Sequence, residues 1–196
     1  LDNVPTREIV SMALEALDNL EHRGAEGADA NTGDGAGILF QLPDEFLRAV
    51  APGELPAVGE YAVAMCFLPQ DDARRAEVKA FFEQTVVAEG QTVVGWRDVP
   101  VAPETIGVTA NASRPVFEQL FIAASDDLRA DQDAFERKLY VIRRIAELEF
   151  GRDLYVASCS SRTLNYKGML ISGQLPKFFP DLGDERIKSA VCLVHS

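Results

Sequence analysis

The sequence predicts an α+β protein in which two layers of strands lie between helices. Apolar, strand-like runs follow one another directly as well as alternating with helical segments, which favours a mixed layered sandwich over a doubly wound parallel sheet. Tyr61–Leu68 is an almost unbroken apolar run bounded by loop residues, as is typical of a strand buried on both faces. Residues 6–21 and 133–149 place apolar side chains at helical spacing, so we expect these two helices outside the sheets.

The two helices at residues 6–21 and 133–149 have recognisable start signals. Thr6 is the predicted N-cap of the first helix, and Gly24 follows its predicted end as a stop signal. Asp133 and Glu136 have the spacing of a capping box, with Asp133 at the cap. The inward face of that helix is expected to hold Phe135, Leu139, Ile142 and Ile145.

The remaining elements are predicted from apolar runs between turn residues. Further strands are expected at residues 38–41, 91–99, 116–123, 154–160, 163–167 and 189–195, further helices at residues 43–50 and 71–88, and a short helical or turn segment around residues 174–178. The strands at 154–160 and 163–167 are expected to pair with each other, joined near Ser161 and Arg162.

The bulk composition excludes several classes of function. The formal net charge of -12 disfavours binding to nucleic acid or to anionic membrane surfaces. We find neither a signal peptide nor an apolar run of roughly 18–20 residues that could span a membrane. We therefore expect a cytoplasmic protein without nucleic-acid or membrane partners.

The three cysteines and two histidines form no recognisable motif. Cys66, Cys159 and Cys192 all lie in apolar, strand-like stretches, so we expect unpaired thiols in the core. A zinc site is not expected from so few cysteines and histidines. His195 ends a predicted buried strand, and we expect a packed histidine rather than a base.

The segment at residues 21–37, which is glycine-rich from residue 27 onward, is the most informative part of the chain. Its glycines lead into a predicted strand, whereas a phosphate cradle needs glycines that lead into a helix. A calcium loop counted from Asp29 would place Gly33, Asp34 and Phe40 at its fifth, sixth and twelfth positions, which does not fit the EF-hand pattern. The residues themselves favour a helix-to-strand loop whose glycines permit close backbone approach and whose Asp34 accepts backbone N–H groups.

The same segment begins a series of stretches that resembles the amino-terminal domain of glutamate synthase large subunits. The matching stretches are residues 20–25 (LEHRGA), 27–29 (GAD), 31–38 (NTGDGAGI), 90–100 (GQTVVGWRDVP), 135–143 (FERKLYVIR), 160–163 (SSRT) and 166–170 (YKGML). They span nearly the whole chain in order, and Glu26 is a departure from the family's usual cysteine. A shorter pattern, shared by other class II amidotransferases, matches residues 22–24 and 34–38.

The resemblance implies a class II glutamine amidotransferase with the αββα four-layer sandwich of the N-terminal-nucleophile hydrolases. Residues 1–196 would form one such domain, truncated at both ends. It would hydrolyse L-glutamine and pass ammonia to a synthase site that makes glutamate from 2-oxoglutarate. The resemblance places FMN and an iron–sulfur cluster on other domains of the large subunit, with a small reductase subunit as a further partner.

The resemblance also implies where the chemistry lies. The nucleophile would be an N-terminal cysteine upstream of Leu1, and no catalytic residue is expected within the chain, so the fragment alone should be inactive. The residues expected beside the substrate site are Arg23, Gly24, Asp34 and Gly35. Arg23 and Asp34 are expected either to form a charged pair behind the nucleophile or to serve loop architecture alone.

Two alternatives to a glutamate synthase domain stay open at this point. One is a catalytically silent module of the same fold with a binding or scaffolding role. The other is a class II amidotransferase that acts on a different acceptor. For His22, capping of helix carbonyls competes with a supporting position near glutamine.

Overall fold

A computed structural model describes residues 3–20 and 32–196. The helices are α1 (Arg7–Asp18), α2 (Asp44–Val50), α3 (Asp72–Ala88), α4 (Val108–Ala112), α5 (Gln132–Phe150) and α6 (Leu175–Phe178). The strands are β1 (Ala36–Gln41), β2 (Tyr61–Leu68), β3 (Thr92–Asp98), β4 (Val116–Ala123), β5 (Tyr155–Ser160), β6 (Thr163–Gly168) and β7 (Cys192–His195). The chain divides into two compact units.

One unit comprises Leu47–Asp98 and Pro115–Leu164 and contains a four-stranded sheet in the order β3-β4-β2-β5. All neighbours in this sheet are antiparallel. The central pair runs without a break from Tyr61 opposite Ala123 to Leu68 opposite Val116. The bounds of β2 and β4 are those predicted from their apolar runs, and every β2 residue except Phe67 is buried.

Helices α3 and α5 contribute one side of this unit's core. Val78, Phe82 and Val86 of α3 are buried with Leu139 and Ile142 of α5 in one apolar cluster with β2 and β4. The burial of such side chains stabilises the unit by roughly 1.5–3 kcal/mol for each large one.

The start of α5 differs from the prediction. Asp131, rather than Asp133, is the N-cap, and its carboxylate accepts the N–H of Ala134 at 2.9 Å. Glu136 is therefore free of the predicted capping box and binds elsewhere in the fold. On the apolar face, Ile145 is 37% exposed, and Ala146 takes the buried position expected for it.

The predicted pairing of residues 154–160 with 163–167 is wrong. β5 pairs with β2, whereas β6 lies beside β1 in a different sheet. The chain changes sheets at Ser161 and Arg162, and Glu136 fixes this crossover by accepting the Ser161 N–H and hydroxyl, both at 2.6 Å. The hydroxyl of Ser160 also donates to Glu136, at 3.0 Å.

The other unit comprises Leu1–Phe46, Val99–Arg114 and Asn165–Ser196 and contains a three-stranded sheet in the order β6-β1-β7. β1 is the central strand and is antiparallel to β7. Thr6 caps α1 as predicted, accepting the Ile9 N–H at 3.3 Å, but the helix ends at Asp18 instead of residue 21. The expected stop at Gly24 lies outside the described residues.

The core of this unit is rich in aromatic rings. Tyr166 of β6 stacks with Phe40 of β1 and meets Phe179 edge-on. Its hydroxyl donates to the buried carboxylate of Asp181 at 2.8 Å, which satisfies both polar groups in an otherwise apolar environment.

Two antiparallel sheets with flanking helices confirm the predicted α+β class. Within residues 3–20 and 32–196, no helix is long and apolar enough to cross a membrane. The last strand is shorter than predicted, and His195 is largely exposed to solvent rather than enclosed in the core, because β7 is an edge strand whose residues alternate between half-buried and exposed positions.

Candidate functional site

The glycine-rich loop that leads into β1 is built around close backbone contacts. A Cβ atom on Gly33 would lie 2.6 Å from the Ile171 amide nitrogen and 2.5 Å from the Leu170 carbonyl carbon. Real Cβ atoms do not approach backbone this closely. Only glycine fits at this position without displacing the segment that follows β6.

The next glycine, Gly35, is needed for its conformation. Its φ of 149° lies in a region that side-chain-bearing residues rarely adopt, and its α-carbon faces the Gly168 carbonyl at the end of β6. Asp34, between these two glycines, is exposed. The Asp34 carboxylate is therefore exposed on a loop whose backbone is constrained on both sides, at Gly33 and at Gly35.

The third glycine of the series lies in a row of three residues across the sheet. Gly37 of β1 is opposite His195 of β7 in the strand register. A Cβ on Gly37 would collide with the His195 imidazole and lie 2.9 Å from Cβ of Lys167 on β6. Partial burial of the ring and the positive charge of Lys167 lower the pKa of His195, so the neutral imidazole is favoured.

The segment after β6 is itself fixed by polar contacts within the same unit. The Ile171 N–H donates to the Gln174 side chain at 2.9 Å. The α-carbon of Gly173 lies against the carboxylate of Asp18 in the last turn of α1, where a Cβ would be 2.6 Å from Oδ1. The end of α1, the glycine-rich loop and the end of β6 thus meet in one place.

The structure places two of the four predicted site residues in this cluster. Asp34 and Gly35 lie in the loop, whereas Arg23 and Gly24 fall outside the described residues, as does His22. The pairing of Arg23 with Asp34 stays a prediction. The row of Lys167, Gly37 and His195 was not identified from the sequence, although the matching stretches at residues 31–38 and 166–170 contain two of its members.

The three thiols do not have the properties of nucleophiles. All are unpaired, as predicted, but only Cys66 is fully buried, while Cys159 and Cys192 are half-buried. Burial raises the pKa of Cys66 well above its ordinary value. Burial, followed by the charge of Glu136, raises the pKa of Cys159 to about 12, and burial also raises the pKa of Cys192. Each thiol is thus held in its protonated, poorly nucleophilic form at neutral pH.

The described residues do not fit a metal or iron–sulfur centre. Across residues 3–20 and 32–196, no three His, Cys, Asp or Glu side chains are grouped so as to hold a metal ion. The sequence has three cysteines, fewer than the four thiolates that usually hold an iron–sulfur cluster, and they are divided between the two units.

Comparison with known proteins gives a consistent result. The model of the family "Glutamine amidotransferases class-II" matches residues 1–196. The chain is 46% identical over 97% of its length to the glutamate synthase (NADPH) large chain of Bacillus subtilis (strain 168), and 38% identical over its whole length to that of Azospirillum brasilense. It is 37% identical to ferredoxin-dependent glutamate synthase 1 of Arabidopsis thaliana. The matched regions cover only 13%, 13% and 12% of these relatives.

Proposed function

Because the chain belongs to the class II glutamine amidotransferases, we propose that it hydrolyses the side-chain amide of L-glutamine to glutamate and ammonia. The single observation that supports this most strongly is the 46% identity to a glutamate synthase large chain across 97% of the chain. The structure of the glycine-rich loop agrees with this proposal, since Gly33 lies close to neighbouring backbone and Gly35 adopts a φ that favours glycine.

The proposed setting is a glutamate synthase large chain in which residues 1–196 form one amidotransferase domain. Ammonia would pass from it to a synthase site that makes glutamate from 2-oxoglutarate. The much greater length of the relatives leaves ample chain for that site, for FMN and an iron–sulfur cluster, and for contacts with a small reductase subunit. The relatives include NADPH and ferredoxin types, so the electron donor is left open, and the cytoplasm is the proposed location.

The proposed reaction uses an N-terminal cysteine of the longer protein. Its thiolate attacks the amide carbon of glutamine, its own α-amino group transfers the proton, and ammonia leaves as a thioester forms. Water then cleaves the thioester to glutamate and regenerates the thiol. Cys66, Cys159 and Cys192 do not take this role, because each lies within a strand, where its nitrogen is part of a peptide bond.

The proposed contribution of this chain is to shape the substrate site. Arg23, Gly24, Asp34 and Gly35 are assigned to its border. An exposed Asp34 on a loop held by Gly33 and Gly35 is suited to bind a charged or amide group at a defined distance. Small displacements of such a group lower rates strongly, by up to roughly a hundredfold for 1 Å.

The test is a comparison of two activities of the longer protein with Asp34→Ala. Glutamine-dependent activity should fall by roughly tenfold or more, whereas glutamate formation from added ammonia should change little, because only the first reaction uses this loop. Asp127→Ala is the matched control, since Asp127 is also an exposed aspartate and should leave both activities unchanged. Equal loss of both activities in folded Asp34→Ala protein would contradict the assignment.

A further inference from the structure

We propose that His195 is a positioning residue for the glutamine site, one that holds the glycine-rich loop by packing its imidazole against Gly37. The inference rests on the proposed glutaminase function and assigns a role to a residue outside the loop. It follows from the register of β1 and β7, in which Gly37 and His195 are directly opposite.

The contact depends on the absence of a side chain at Gly37. The imidazole Nε2 occupies the position that a Cβ would need, and Lys167 closes the other side of the same glycine. Because β1 is the central strand of its sheet, Gly37 is held from both neighbouring strands. Asp34 and Gly35 directly precede β1, so the fixed position of Gly37 constrains where they lie.

The charge state of the ring determines how well it can fill this position. Lys167 is the charged group that acts on His195 from β6, and Gly37 offers no charge from β1. On α1, which also packs against β7, Arg7 donates to the Leu182 carbonyl and Asp18 faces Gly173. Glu8 and Glu15, the other α1 charges, are exposed.

Protonation of His195 would therefore place two positively charged side chains, those of His195 and Lys167, beside Gly37. The folded pKa of His195 is lowered, so the ring is neutral above that pKa and the contact is complete there. As the pH falls through the lowered pKa, repulsion from Lys167 opposes the packed position. The loop should loosen on the acid side, and glutamine hydrolysis should fall with it.

The experiment uses the longer protein and measures glutaminase kcat/KM against pH, with ammonia-dependent glutamate formation measured in parallel. His195→Ala should lower glutaminase activity by roughly tenfold or more at neutral pH, and its difference from wild type should shrink on the acid side. His195→Gln keeps an uncharged polar side chain, so it should restore most of the activity at neutral pH and abolish the acid-side loss due to this residue. Lys167→Met removes the repelling charge, so the acid-side loss due to this contact should largely disappear.

These outcomes separate the inference from the proposed function. Unchanged ammonia-dependent activity in all three variants is expected, because that reaction does not use the loop, and near-normal glutaminase activity of His195→Gln and Lys167→Met at neutral pH shows that this domain is folded. If the wild-type protein hydrolyses glutamine but His195→Gln and Lys167→Met both keep the wild-type pH profile, the positioning role is wrong while the proposed function stands. If wild-type protein hydrolyses no glutamine, the proposed function itself fails.

Discussion

Removal of the Glu136 carboxylate should destabilise the sheet crossover more than any nearby surface charge does. Glu136 accepts the Ser161 N–H and hydroxyl at 2.6 Å each and the Ser160 hydroxyl at 3.0 Å. Ser160 and Ser161 are 9% and 3% exposed, so water does not readily replace the lost acceptor.

The expected magnitude follows from the character of these bonds. Hydrogen bonds to a charged group contribute about 1.5–3 kcal/mol each, and a buried donor left without a partner costs about 1–3 kcal/mol. Hydroxyl groups can reorient, whereas the Ser161 N–H cannot. We therefore expect Glu136→Ala to lower the free energy of unfolding by about 3 kcal/mol.

Asp133→Ala is the matched control on the same helix turn. Asp133 pairs with Arg162 in the crossover, but their side chains are 71% and 47% exposed, so the loss should be much smaller than for Glu136→Ala. The assay is urea unfolding of the 196-residue chain followed by the fluorescence of Trp96, its only tryptophan, which lies in the same unit as Glu136. Equal losses for Glu136→Ala and Asp133→Ala would refute the role assigned to Glu136.

Two further predictions concern the loop and the thiols. Gly33→Ala should lower glutamine-dependent activity of the longer protein by roughly tenfold or more while sparing ammonia-dependent activity, because its Cβ would displace the Leu170–Ile171 backbone. Normal glutaminase activity in this variant would show that the close approach of Gly33 to that backbone is not needed. Maleimide labelling of native protein should be slow at all three cysteines and slowest at Cys66, the one that is fully buried, whereas rapid modification of Cys66 would contradict its place in the core.

Sequence patterning located the elements whose identity is determined by local residues. The apolar runs of β2 and β4 predicted their bounds because nearly every residue of each strand is buried. The pattern did not distinguish Asp131 from Asp133 as the helix cap, since both are capping residues near the same helix start. It also predicted a hairpin at residues 160–163, because adjacent strands usually pair, whereas the long-range bonds of Glu136 stabilise a change of sheet.

The candidate site shows the same limit: residues of a contiguous motif could be predicted, whereas a contact between distant residues could not. Asp34 and Gly35 belong to a contiguous motif, so a resemblance could identify them. The contact of His195 with Gly37 joins residues far apart in the chain, and it depends on strand register, which no single segment contains. Its recognition therefore required the folded structure.

The most direct test of the proposed function measures glutamate release from glutamine by three polypeptides: the 196 residues alone, a chain extended upstream, and a chain extended in both directions. We expect turnover by the chain extended both ways and at most partial recovery from the upstream extension. No measurable release is expected from the 196 residues alone, whose thiols have raised pKa values and lie within strands. Robust turnover by the 196 residues, or none by the chain extended in both directions, would contradict it.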